Sequence, residues 1–213
     1  MTELQFTVRD ITPEPYAASP LLSIRLGIEE TTGEVVHAVA LRVQIRIEPQ
    51  RRPYSEDEED GLLDLFGARA RWSETLRPFL WTHCVSLVQG FTTSTEVDLP
   101  VPCTYDFDVA ASKYLHALAD GEVPLVLLFS GTVFTRGETG FTVQQVPWHS
   151  EASYRMPVGV WRQVMDQHFP NSAWIRLGRE QFDALQQYKT RHAMLGWDDT
   201  VEQLLDRAAV VVP

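Results

Sequence analysis

Leu22-Ser23-Ile24-Arg25-Leu26-Gly27-Ile28-Glu29, followed after the turn signal Thr31-Thr32-Gly33-Glu34 by Val39-Ala40-Leu41-Arg42-Val43-Gln44-Ile45-Arg46-Ile47-Glu48, is the stretch on which the fold turns. Apolar and polar residues alternate in both runs, which is the period of a half-buried strand and not of a helix. Two such runs around a short glycine-containing loop predict an antiparallel hairpin with one buried and one wetted face. Arg25, Arg42 and Arg46 fall on the wetted face.

Working outward, Pro49 and Pro53 end the pairing because proline lacks the ladder donor. Ser55 and Glu58 then fit a capping box, and the acidic run Glu56-Asp57-Glu58-Glu59-Asp60 suits the positive end of a helix dipole. A short helix is predicted there, with Gly67 as its stop. Trp72 to Trp81 is irregular and broken by Pro78. Strand character returns over Cys84 to Phe91 and through Thr95, Val97 and Leu99. Pro100 and Pro102 bound a further strand, Tyr105 to Val109. A helix is predicted over about Ala110 to Ala119, with Gly121 as its cap. Leu125 to Phe129 is all apolar and reads as a central strand covered on both faces. It continues to Phe134 with Gly131 marking a bulge, turns at Gly137 to Gly140, and returns as Phe141 to Val146.

After Pro157 the period changes to 3.6. Trp161, Val164, Met165 and Phe169 share one helical face; Phe182, Leu185 and Tyr188 mark a second helix; Asp199 with Glu202 opens a third. Strands followed by helices define an α+β chain. The expectation is mainly antiparallel β-sheet or sandwich built from long hairpins, with a C-terminal group of three helices packed on it. One domain is expected over 1–213, mainly β with two short helices over 1–156 and helical over 157–213.

The 213 residues carry 29 acidic against 18 basic side chains, a formal charge of -11. That balance argues against nucleic acid or an anionic membrane as partner, since both select basic surfaces. Met1 to Gln5 has no basic or apolar signal region, and no apolar run is long enough to cross a bilayer, so a cytoplasmic protein without membrane insertion is expected. Cys84 and Cys103 read as two buried reduced thiols, a single bridge between them staying open.

No constellation of residues announces a reaction. The histidines and cysteines lack the close pairs that aim two ligands at one metal ion. His83, Cys84 and Cys103 are the weak metal candidates, but neighbours on a strand point to opposite faces. Asp106 and Asp108 share a strand face without an ion-binding loop around them. Ser130 lies within a hairpin and not on a nucleophile elbow, and the glycine loops of nucleotide cofactors are absent, so no cofactor is expected. What remain are surfaces. Tryptophan anchors interfaces because it buries a large area while keeping a polar handle. Trp161 reads as core; Trp148, beside His149, reads equally as a partner contact. Arg51 and Arg52 precede the acidic run Glu56 to Asp60. These charges either close on one another or face a basic partner.

Several stretches together resemble a known family: His37-Ala38-Val39-Ala40-Leu41-Arg42 into Ile45-Arg46-Ile47-Glu48-Pro49; Arg52-Pro53-Tyr54-Ser55; Leu65-Phe66-Gly67 with Arg71-Trp72; Cys103-Thr104-Tyr105-Asp106-Phe107; Lys113-Tyr114-Leu115-His116-Ala117-Leu118; and Pro124 through Phe134. The chain resembles an uncharacterised, mainly actinobacterial family, a domain of unknown function, whose genes tend to lie beside those of high-affinity, oxygen-tolerant [NiFe] hydrogenases. The resemblance implies an accessory role in hydrogenase assembly or maturation, with a hydrogenase subunit or maturation factor as protein partner. It carries no assigned functional residues. A non-catalytic accessory protein is therefore the leading expectation. A metal- or cofactor-handling protein and an unrecognised enzyme with a site between sheet and helices stand as alternatives, and a homodimer is left open.

Overall fold

Alternation makes strands, but it does not decide which strand pairs with which. The computed structural model describes residues 2–104, 106, 109–137, 140–172 and 175–209. The chain forms two compact units, Met1–Trp174 and Ile175–Pro213.

Among the described residues the first unit holds eight strands in two antiparallel sheets. Strands β1 (Leu4–Pro13), β2 (Leu21–Glu30) and β5 (Ser94–Pro102) form a three-stranded sheet in the order β1-β2-β5. Strands β3 (Val36–Ile47), β4 (Phe79–Phe91), β6 (Glu122–Gly137) and β7 (Gly140–Gln145) run in the order β4-β3-β6-β7, and β8 (Glu151–Pro157) also pairs with β6. The inner faces share one core, in which Phe6 of β1 stacks on Phe129 of β6 at 4.2 Å between centroids.

The alternating positions of β2 and β3 are buried as expected: Leu22, Ile24, Leu26 and Ile28, then Val39, Leu41, Val43, Ile45 and Ile47. The hairpin predicted between them does not form. β2 pairs with β1 and β5, whereas β3 pairs with β4 and β6. The intervening loop carries the chain from one sheet to the other. Its template is Glu30, a buried carboxylate that accepts from the backbone N–H groups of Thr32, Gly33 and Glu34 at 2.7–3.1 Å and from the Thr32 hydroxyl. Burial opposes ionisation of Glu30, yet these hydrogen bonds outweigh it and hold the carboxyl below the usual carboxylate range. Gly33 supplies the positive φ of 82° that the turn requires. Period-two patterning specifies a buried face, and two strands with facing apolar sides satisfy it equally well from opposite sheets.

Further strand boundaries shift for local reasons. β4 starts at Phe79, before the expected Cys84, and Trp81 is the extra residue where the register slips between Ile45 and Arg46 of β3. Pro100 and Pro102 do not bound a later strand; they end β5, an edge strand where a missing donor is tolerated. Of the strand expected over Tyr105 to Val109, Tyr105, Phe107 and Asp108 lie outside the described residues, and Val109 N–H donates to Asp106 C=O in a turn. The turn residues 138 and 139 also lie outside them. Gly131 is not a bulge, because the β3–β6 register runs through it without a shift. Its φ is 143°, and a Cβ there would lie 2.1 Å from the Ala40 carbonyl oxygen.

Short helices close one end of the core: α1 (Glu56–Gly61), α2 (Leu63–Phe66), α3 (Trp72–Thr75) and α4 (Ala110–Ala117). The Ser55–Glu58 capping box is present in full. α4 buries Ala111, Tyr114 and Leu115 at helical spacing. α5 (Val158–His168) buries Trp161, Val164 and Met165 and packs against β1 and β8. The second unit is a pair of helices, α6 (Arg179–Arg191) and α7 (Trp197–Ala209), joined by a Tyr188–Gln203 hydrogen bond of 2.7 Å and a Phe182–Trp197 ring contact. The three C-terminal helices thus divide, α5 belonging to the β-unit and α6 and α7 to their own.

Replacing Gly131 by alanine puts a side chain where backbone already stands and forces an unfavourable φ. Gly131→Ala is expected to lose at least about 2 kcal/mol in urea unfolding; an unchanged midpoint would contradict the close approach of β6 and β3.

Candidate interaction surface

The charged segment around α1 closes largely on itself. Arg52 and Glu58 side chains are 6% and 5% exposed and pair through Arg52 Nη2 and Glu58 Oε1 at 2.8 Å. Arg52 also donates to Asp120 C=O, while Glu58 accepts from the backbone N–H of Ala119 at 2.7 Å and of Ser55 at 3.1 Å. Desolvation opposes the Glu58 charge, but these donors and the Arg52 guanidinium overcome it and keep its carboxyl low. Arg52 lies over the Tyr54 ring, and the Tyr54 hydroxyl meets that of Tyr114 at 2.8 Å. Burial raises both phenols, Tyr114 to about 12. Arg51 pairs with Glu48 at 2.6 Å and Glu59 pairs with Arg69. Of the block, only Glu56, Asp57 and Asp60 remain exposed. Arg52 and Glu58 are thus structural, tying α1 to the end of α4.

The three weak metal candidates do not converge, although Cys84 is near enough to Cys103 to act on its thiol. His83 is exposed on the outer face of β4 and Cys84 is buried on the inner one. Both cysteines are free thiols, and burial lifts Cys84 to about 11 and Cys103 to about 12, which makes them poor nucleophiles. Among the described residues no three His, Cys, Asp or Glu side chains group as metal ligands. Asp108, the partner of Asp106 in the other carboxylate pair, lies outside the described residues. Between α4 and α5 a cleft of about 260 Å³ holds His116, Arg162 and Asp166. Burial, and then the Arg162 charge, push the His116 pKa down. No serine, threonine or cysteine lines this cleft. Trp161 is core as expected, Trp174 lies outside the described residues, and Trp148 is 92% exposed with its ring edge-on to His149.

One opening was not singled out from the sequence: the outer face of the five-stranded sheet. A shallow depression of about 630 Å³ lies across it, lined by Arg42, Val85, Leu87, Ser130, Thr132 and Gln145. Cross-strand register sets its rows: Val85, Arg42 and Ser130 in one, Leu87, Ala40, Thr132 and Gln145 in the next. Farther on, Phe134 faces Val143 and Arg136 faces Phe141, with His37 at 4.7 Å from the Phe141 ring. Val85, Leu87, Phe141 and Val143 are 56–72% exposed. The available signal was the strand Cys84 to Val88, with apolar residues on both faces. An antiparallel strand with one wetted side does not need that.

The fold and this surface define the class: an α+β protein, a β-sandwich of three and five strands capped by helices, with one broad open sheet face. The chain belongs to a family described as "Family of unknown function (DUF6084)", whose model matches residues 1–212. No curated protein matches it. Similar solved structures include β-glucosidase from Kluyveromyces marxianus, at 8% identity and TM-score 0.27 over 73% of this chain and 15% of that one. They also include the CARDB domain of a Pyrococcus furiosus protein in complex with di-metal ions, at 10% identity and TM-score 0.28 over 73% and 91% of the two chains. A late embryogenesis abundant (LEA) protein has 10% identity and TM-score 0.33 over 72% and 71%. Likenesses of this size carry no activity across to this chain. Among the described residues no helix is long and apolar enough to cross a membrane.

Glu58→Gln removes one charge of a buried pair and strands the other. A loss of about 3–5 kcal/mol is expected in thermal or urea unfolding at neutral pH. The Glu58 carboxyl is held low, so its stabilisation is complete above the unfolded-state value of about 4.3 and is lost as pH falls through the folded-state value. The variant should therefore show a flatter decline of stability toward acid; an equal slope in both proteins would contradict the pair's role.

Proposed function

We propose that this protein is a non-catalytic accessory protein of the cytoplasm that binds another protein, a [NiFe] hydrogenase subunit or maturation factor, during hydrogenase assembly. The observation that carries the binding half of this reading is the outer face of the five-stranded sheet, where large apolar side chains stand more than half exposed in ordered cross-strand rows. Soluble chains seldom leave such a row open without a use for it. Trp148, fully out in solvent beside the same sheet, adds a second anchor of the residue type favoured at interfaces. The hydrogenase half rests on the family resemblance and on the gene neighbourhood it implies.

Affinity-tagged protein isolated from a strain making the hydrogenase is expected to bring down a hydrogenase subunit or maturation protein, and deletion of the gene is expected to lower hydrogenase activity. Recovery of neither protein, together with normal activity in the deletion strain, would refute the proposal.

A further inference from the structure

The two outer faces of the sandwich treat their arginines differently. On the three-stranded sheet each has an acid across the strand: Arg25 with Asp98 at 3.4 Å and Arg9 with Glu96 at 3.9 Å. On the five-stranded sheet Arg42 stands opposite Val85 and Ser130, Arg46 opposite Leu80 and Val126, and Arg136 opposite Phe141. Among the described residues none of these three has an acidic partner. Arg155, at the β8 side, pairs with Glu122 at 3.5 Å, and Glu151 is the other acid of that face. A chain with 29 acids for 18 bases has ample carboxylates to pair every arginine. On this one face three have none among the described residues and, interleaved with exposed Val85, Leu87, Phe141 and Val143, they make a basic-and-apolar strip on an acidic molecule.

We infer that this strip seats an acidic segment of the partner protein, with carboxylates on Arg42, Arg46 and Arg136 and apolar side chains on Val85, Leu87, Phe141 and Val143. The inference rests on the protein-binding reading above and gives that partner its chemistry. Complementary charge fixes register and speeds encounter, while the apolar rows supply the buried area. The scale also selects the occupant. Ten strand positions by four strands measure about 30 Å by about 15 Å, the footprint of one helix or extended segment and short of the roughly 800 Å² per side of a domain-sized interface. A second copy of this chain fits less well. Face-to-face pairing sets arginines against arginines, and the segment Glu56 to Asp60 has no apolar side chain to offer.

The test uses the full chain and fluorescein-labelled peptides of alternating Glu and Leu or Phe, read by fluorescence anisotropy. Comparison peptides carry Lys for Glu, or Ser for the apolar residues. The acidic apolar peptide is expected to bind at least about tenfold more tightly than either. Its affinity should fall about tenfold between about 50 and about 500 mM NaCl. The triple variant Arg42→Gln, Arg46→Gln, Arg136→Gln is expected to weaken it about tenfold, and the single variants a few-fold each. Leu87→Ser should weaken it too, and Arg25→Gln on the opposite sheet should not. All variants must retain the wild-type circular dichroism melt, and the single substitutions stand if the triple one does not. Equal binding of the lysine peptide, no binding of any peptide, or indifference to the arginine substitutions would overturn the inference. So would sedimentation showing that the chain alone self-associates through these arginines. Capture of the hydrogenase partner by wild type and triple variant alike would overturn the inference and leave the accessory role standing. The expected peptide response without any hydrogenase partner would do the reverse.

Discussion

Each sheet of this protein has one side rich in large aliphatic residues, and the two sides must meet. That requirement governs the rest of the structure. Leu22, Ile24, Leu26 and Ile28 from one sheet and Val39, Leu41, Val43, Ile45 and Ile47 from the other are almost wholly withdrawn from water. At roughly 1.5–3 kcal/mol for each such side chain, these nine together outweigh any single polar contact described above. The chain therefore has to cross between layers after β2, after β4 and after β5, and polar chemistry is used at these crossings. Glu30 is the clearest case. A carboxylate placed just beyond the last buried isoleucine gathers three backbone donors that a sheet-to-sheet loop leaves unpaired.

The end of the sandwich is closed by a different means. The helices there are too short to bury much area, so α1 and the end of α4 are joined through Arg52 and Glu58, with Tyr54, Phe66, Trp72, Phe79 and Tyr114 packed edge-on around them. A buried ion pair adds less to stability than a well-packed apolar group, but it admits few alternative arrangements. That suits a cap made from short pieces. It also places two of the five charges of the acidic run, Glu58 and Glu59, in internal service.

How far the sequence could be read follows the same physics. Val39 to Ile47 was legible residue by residue because burial on one face leaves a period of two. Its partner was not legible, since alternation reports a face and says nothing about neighbours. β1 escaped because its phase changes: Leu4, Phe6 and Val8 are buried, then a bulge moves the next buried position to Ile11. β8, Glu151 to Pro157, does alternate, turning Ala152, Tyr154 and Met156 to the core, but the run is short and only Met156 is deeply buried. The open face was half visible. Arg42 and Arg46 were placed correctly on the wetted side, but whether an arginine has an acid beside it depends on which strand lies next to it. Within the capping box the local spacing of Ser55 and Glu58 was sufficient, whereas the bond from Glu58 to Ala119 joins residues far apart in sequence.

Strand β6 has one further property. Along a single edge it is paired first with β8, from Glu122 to Leu128, and then with β7, from Thr132 to Gly137. The chain leaves the sheet between them, over Val146 to Ser150, with Trp148 at the tip. An edge divided this way behaves as two separable modules on one rail. Residues can be inserted or exchanged in the β7 half without disturbing the β8 half, and so without moving α5 or the core beneath it. The half of the edge that carries Phe141 and Val143, with Trp148 at its margin, is thereby held apart from the half that seats α5.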